Sequence, residues 1–345
     1  MKFRALVIAA AVAVVLGAPA GVAAAPKPKV LLKIATLAPD GSTWMNLMHE
    51  MDERVREATG NEVGFKFYAG GVQGDERLVL RKMRSGQLHG GGFTGNGLGV
   101  IAPAVRVLEV PFLVDSEDEI DAVFAAVGDR LEGEIEKGGH VLLGWAEVGF
   151  VHLFTKKPVR GLDDLKNIKM WLWEGDPLAE SFFREAGIAP VSLAITDVYT
   201  SLQTGLVDGV YSSPYAAVVL QWHSLVGAMS ESPITFASGA VVVTDRMWSK
   251  ISPASQAKVR EIADETFARL RQSSREENAQ AIDDIRAAGL EIVKVPDAEL
   301  AVFRDIGERA AQAGVGELYP AELLEEVTAV VQAYRQAKAV TPDGG

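Results

Sequence analysis

The sequence predicts an α/β fold of two lobes, with mainly parallel sheets flanked by helices and one long helix spanning both. Three observations point there. Strand-like and helix-like segments alternate from Val30 onward, the βαβ pattern of a parallel sheet with helices on its faces. A second set of such elements begins after a basic, glycine-containing turn that follows residues 151–155. A single helical pattern then runs over residues 252–289, about 54 Å at 1.5 Å per residue, longer than one small lobe is wide.

The elements follow in order. The first 25 residues read as a cleaved secretory signal peptide: Lys2 and Arg4, an apolar run over residues 5–16, then GVAAA ending at Ala25. The apolar run falls short of the ~20 residues a membrane-spanning helix needs. Residues 30–37 (VLLKIATL) form a strand, and PDGSTW turns into a helix that starts near Ser42 or Thr43. Met48, Met51 and Val55 recur along it at helical spacing, and Gly60 stops it. EVGFKFY is the next strand, followed by a Gly-rich turn, the helix DERLVLRKMRSG and a short strand. The alternation continues through VRVLEVPFL, a helix over residues 117–137 and a strand over residues 140–155.

The second set comprises KPVRGLDDLKNIKMWL, the helix PLAESFFREAG, the segment AITDVYTSLQTG and the strand GVYSS. Ser252 caps the long helix, Pro253 suits its first position, and Gly289 ends it. A strand (LEIVKV), two further helices and the tail 341–345 finish the chain. Lobe I is expected over residues 28–151 with about 237–270, and lobe II over 152–236 with about 271–340.

Composition narrows the function. The chain has no cysteine, so the export signal is not followed by a disulfide framework, a thiol nucleophile or a lipid-bearing cysteine, and the expected address is the periplasm. Losing Lys2 and Arg4 takes the net charge from −12 to −14, a balance that disfavours nucleic acid and anionic membrane surfaces. Five histidines lack metal-ligand spacing, and Ser212 and Ser213 in GVYSSPY do not form a nucleophile elbow. The run HGGGFTGNGLG lacks the lysine and Ser/Thr of a phosphate loop. The expectation is a protein without catalytic residues, metal or cofactor.

The same run still matters, because ligands of open α/β sheets sit beyond the carboxyl ends of strands. That places Phe93, Thr94 and the backbone of Gly95 and Asn96 beside a ligand. Trp44, at a strand-to-helix turn, and Trp171 with Trp173, on one face of a strand, either wall a cleft or fill the core. Glu147, Glu174 and Asp176 are either cleft carboxylates that would select a cation or solvated loop groups.

Five segments in series carry a resemblance: FYAGGVQGDERLVLRKMRSGQLHG, VRVLEVPFLVDSEDE, RGLDDLKNIKM, DVYTSLQTGLVDG and SGAVVVTDRMWSKISP. In order and spacing they resemble the DctP-type receptors of tripartite ATP-independent periplasmic (TRAP) transporters. The resemblance implies a two-lobed periplasmic binding protein that closes on a small molecule and delivers it to a membrane permease. Receptors of this family usually bind organic acids through an arginine in a DLKGLKIR-type segment, and the matching position here is Trp171. A second arginine, at the lobe crossing, matches Val151. The asparagine after the VDG turn is replaced in a neighbourhood of Tyr211, Ser212 and Ser213.

All three departures run towards apolar or neutral groups. A buried carboxylate without a cation or several donors costs several kcal/mol on the order of its desolvation. A pocket walled by Trp44, Phe93, Val151, Trp171, Trp173 and Tyr211 rewards burial of apolar surface instead. The expected ligand is hydrophobic or neutral and amphipathic, as implied by the resemblance to an arginine-lacking subgroup that works with a tetratricopeptide-repeat partner. The alternatives are an organic acid held by Arg84, Lys156 or Lys169, and a ligand-sensing or scaffold protein outside transport.

Overall fold

The computed structural model describes residues 27–340, so the expected signal peptide 1–25 and tail 341–345 lie outside the described residues. The first lobe opens with β1 (Val30–Ala35), α1 (Thr43–Ala58), β2 (Val63–Tyr68), α2 (Glu76–Arg84), β3 (Gly90–Thr94) and α3 (Gly95–Ile101). A 3-10 turn at Pro103–Glu109 leads to α4 (Glu117–Lys137) and to the long strand β4 (His140–Thr155). The second lobe adds α5 (Leu162–Lys166), β5 (Trp171–Trp173), α6 (Pro177–Glu185), β6 (Val191–Leu193), α7 (Val198–Thr204), β7 (Gly209–Ser212), α8 (Pro214–Val219) and β8 (Ala228–Ser230). The chain returns through β9 (Thr235–Thr244) and α9 (Asp245–Trp248) to α10 (Pro253–Ala287). It ends with β10 (Glu291–Val293), α11 (Asp297–Ala313) and α12 (Ala321–Val340).

Local chemistry explains the element boundaries. The Ser42 hydroxyl accepts from Met45 N at the start of α1, whose Met48, Met51 and Val55 are buried. Ser252 caps α10 in the same way, Pro253 takes the first position, and Gly289 leaves the helix with φ at +91°. VRVLEV, expected to continue the strand alternation, is a 3-10 turn instead. Pro103 starts it, and three-residue spacing then brings Arg106 and Glu109 onto one face.

Parallel pairing lies within the lobes, where β1 pairs with β2 and β3, β8 with β10, and β5 with β6. The strands that pass between the lobes are antiparallel. Strand β9 inserts between β3 and β4, and β4 pairs with it from His140↔Thr244 to Val151↔Thr235 before turning to β7 and β8. Two register shifts interrupt this ladder, between Leu142 and Gly144 and between Glu147 and Gly149. A bulge bends its strand, so β4 changes direction where it passes from one lobe to the other. Gly149 has φ at +112°, and an added Cβ there would meet the Asn278 side chain at 2.6 Å.

Helix α10 packs on α1, on β4 and on α8, and so touches both lobes along about 52 Å at 1.5 Å per residue. Residues 271–340 are expected in lobe II, and within them helix α11 packs on α6. Helix α12 departs from that assignment. Its Leu323, Leu324, Val327 and Val331 join the first-lobe core on α4, because its apolar stripe finds cover there.

Candidate ligand cleft

A cavity of about 250 Å³ lies between the lobes, at the ends of β1, β3, β5 and β7. Its lining includes Trp44, Phe93, Thr94, Glu147, Val151, Trp171, Trp173, Tyr211, Ser212 and Ser213. Gly95 is expected there too, but it is not on the lining; an added Cβ would lie 1.9 Å from the Glu109 carboxylate, which is. Its lack of a side chain is what lets Glu109 approach. Glu174 is exposed and off the lining, whereas Asp176 is buried and on it.

The second-lobe wall is aromatic. Trp171 is 1 % exposed, stacked on Tyr211 with ring centroids 5.0 Å apart and edge-on to Trp222 at 5.5 Å. Trp171 and Trp173 therefore wall the cleft and fill a core at once, the two roles the sequence left open. Both indole N–H groups are engaged, Trp171 Nε1 donating to Leu193 O at 3.0 Å and Trp173 Nε1 to Asp75 Oδ2 at 2.9 Å. The Tyr211 hydroxyl accepts from Trp173 N at 3.0 Å. Burial, with Asp176 nearby, pushes the Tyr211 phenol well above its ordinary value, so it stays neutral. Ser213 caps α8 by accepting from Ala216 N.

The first-lobe wall is polar. Glu76, 2 % exposed, accepts from Thr94 N at 2.7 Å, Gly97 N at 2.7 Å and the Thr94 hydroxyl at 3.1 Å. Burial raises its carboxyl to about 8 against the pull of these donors. Glu109 accepts from Ser238 N and Oγ, both at 2.9 Å. Arg106 donates to Glu109 through Nη1 and, across the cleft, to Asp176 Oδ1 through Nη2 at 2.7 Å. Burial alone would lower the Arg106 guanidinium, but Asp176 and Glu109 hold it above its ordinary value, fully charged.

Arg106 is the one cation on the lining among the described residues, facing the acidic Glu76, Glu109, Glu147, Asp176 and Glu277. Glu147 is compensated from outside the cavity by Arg275, at 2.7 and 2.8 Å. Glu277 accepts from the Thr43 hydroxyl. The three cations expected as stand-ins for the lost arginine lie elsewhere. Lys156 and Lys169 both pair with Asp208, and Arg84 is exposed on α2.

Residues 34–315 match the family model described as bacterial extracellular solute-binding protein, family 7. The chain belongs to this family. A solute-binding protein of Chromohalobacter salexigens is 28 % identical over 254 residues, covering 71 % of this chain and 73 % of the relative. The fold matches a crystal structure of a TRAP periplasmic solute-binding protein from Xanthobacter autotrophicus with bound β-D-galacturonate. The TM-score is 0.80 at 20 % identity, over 87 % of this chain and 99 % of the other. A C. salexigens TRAP receptor with bound D-glucuronate gives a TM-score of 0.79 at 24 % identity, over 88 % and 99 %. Family membership makes this a solute-binding receptor, as expected, with a mixed α/β fold.

In this family 7 protein Trp171 and Val151, the two positions that the sequence resemblance matched to arginines, both line the cleft. Trp171 sits deep in the second-lobe wall, and Val151, 5 % exposed, closes the β4–β9 ladder on the same cavity. Sequence reasoning missed Arg106, Glu109, Glu76, Trp222 and Glu277. One signal existed: Arg106 and Glu109 are the only charges in PAVRVLEVPF, three residues apart in an otherwise apolar run.

Proposed function

We propose that the protein is the extracytoplasmic receptor of a TRAP-type secondary transporter, binding a hydrophobic or neutral amphipathic small molecule and delivering it to a membrane permease from the periplasm. The observation that carries the ligand class is the state of Arg106. The single cation on the described lining already bonds two carboxylates, and Trp171, at the position that the sequence resemblance matches to an arginine, has its N–H engaged. An incoming acid meets no free cation, whereas an apolar molecule gains about 25 cal/mol for each Å² it buries against the rings. A tetratricopeptide-repeat partner, as in the arginine-lacking subgroup the sequence resembles, fits the same reading. The test is native mass spectrometry and organic extraction of protein purified from its own host. An apolar or neutral species is the expected passenger, and a tightly held sugar acid overturns the ligand class.

A second reading is favoured by the ligands of the structural neighbours, galacturonate and glucuronate. It keeps the receptor and gives it an acid bound by Arg106. It requires Arg106 to give up Asp176 or Glu109 for the ligand, which leaves a buried protein carboxylate without its cation.

A further inference from the structure

We propose that Asp176 is a built-in counter-ion that sets the ligand class: from the second lobe it occupies the place on Arg106 that a ligand carboxylate would take, so the closed cleft refuses acids. This deepens the apolar-ligand reading above and rests on it.

The geometry is that of a half-used fork. The Nε and Nη2 groups of an arginine form one edge that receives a carboxylate through two parallel bonds. Asp176 uses one prong, with Oδ1 on Nη2 at 2.7 Å, while Arg106 Nε is buried without a hydrogen-bond partner among the described residues. The mismatch has a local cause. Asp176 Oδ1 also caps α6, accepting from Leu178 N and Ala179 N at 3.1 Å, so the carboxylate is turned to its own helix. The other end of the arginine is fixed by Glu109, itself held by Ser238 on β9.

Arg106, Glu109 and Asp176 are 4 %, 7 % and 6 % exposed, two carboxyl groups set against one guanidinium. A ligand carboxylate added to that group meets two fixed carboxylates at low dielectric, which is strongly unfavourable. The half-sites come from opposite lobes, so closure itself completes the pair. Asn96 Nδ2, also on the lining, is buried and without a partner among the described residues, one more donor for the neutral polar end of a guest.

The test is calorimetric titration of galacturonate into wild type, Asp176→Asn and Asp176→Ser; both replacements keep a side chain that caps α6. Circular dichroism and a thermal melt establish folding. Wild type is expected to refuse the acid. The variants should bind it about 10- to 100-fold tighter, the worth of a charge-assisted pair, and the gain should vanish in Asp176→Ser/Arg106→Gln. Folded variants that bind galacturonate no better than wild type, while wild type refuses it, overturn the role of Asp176 and leave the apolar-ligand reading standing. Wild type binding galacturonate as tightly as the variants overturns that reading itself. A measurement on wild type alone uses phenylacetamide and phenylacetate, alike in shape and different in charge. A preference of about tenfold or more for the amide is expected, and equal binding overturns the proposal.

Discussion

The first-lobe wall of the cleft is rich in charge and the second-lobe wall is rich in rings, yet both leave few hydrogen-bonding groups for a guest. On the first-lobe side Glu76 is met by Thr94 and Gly97, and Glu109 by Ser238 and Arg106. On the other side the indoles of Trp171 and Trp173 and the Tyr211 hydroxyl are tied to protein partners. The difference teaches that polarity of a lining and polarity available to a ligand are separate quantities. Counting acidic and basic residues on this cavity would suggest a cation site, whereas tracing each bond leaves Arg106 Nε and Asn96 Nδ2 as unpartnered buried donors on the described lining.

The largest expected effect tests whether the aromatic wall is structural. Trp171 is fully enclosed by Tyr211, Trp173 and Trp222, and Trp171→Ala should destabilise the protein by about 3–5 kcal/mol through the cavity it leaves. Trp44 on the first-lobe side is only half-buried, and Trp44→Ala should cost less than half as much. Urea unfolding measures both. Equal losses would mean that the second-lobe wall is no better packed than the first, and the contrast between them would fail.

Acid and base should probe the two sides in opposite directions. Burial first, then nearby Asp75, raises Glu76 from 4.5 to about 8, opposed by the Thr94 and Gly97 donors. Its folded form therefore holds a proton that the unfolded chain releases, so its contribution to stability is full below about 4.5 and lost as pH rises through about 8. His152 lies at the second-lobe end of β4, with Nδ1 donating to Ser230 O at 2.8 Å, and burial pushes it from 6.5 down to about 4. Its contribution is full above 6.5 and lost as pH falls towards 4, up to about 3 kcal/mol. Glu76→Gln should flatten the alkaline limb of a stability profile and His152→Gln the acid limb. Unchanged limbs in unfolding curves collected across pH 4–9, a range of about five units around these values, would remove the titrations from the account.

The legibility of the molecule in its sequence divides along a related line. Helix α10 with its Ser252 cap, helix α4 and strand β4 were readable because periodicity and capping act over neighbouring residues. The insertion of β9 between β3 and β4 was not, since it joins residues 84 to 153 positions apart and leaves no local pattern. The return of α12 to α4 was hidden for the same reason. In the cleft, strand direction brought the aromatic residues at strand ends forward as candidates but left open whether they wall a cleft or fill the core. Arg106 and Asp176 were not recognisable as a pair, because 70 positions separate them and one was read as part of a strand alternation. A charge in an apolar run advertises that it has a partner without saying where the partner is.

The smallest effect asks whether the two walls are energetically joined. Asp75 caps α2 through Oδ1 and receives Trp173 Nε1 and Ile195 N on Oδ2, at 2.9 and 3.2 Å, so one first-lobe carboxylate holds two second-lobe donors. Asp75→Ala removes a helix cap and both cross-cleft bonds, about 1–2 kcal/mol in total, since the freed groups are only part-buried and recover water in part. The cap acts within one lobe, whereas the indole bond exists only when the lobes are closed. A double-mutant cycle of Asp75→Ala with Trp173→Phe isolates the second, and a coupling of about 0.5–1.5 kcal/mol is expected. Purely additive losses would mean that Asp75 and Trp173 meet without sharing stability, leaving Arg106 with Asp176 and Arg77 with Gly175 O as the polar contacts through which closure is felt across the cleft.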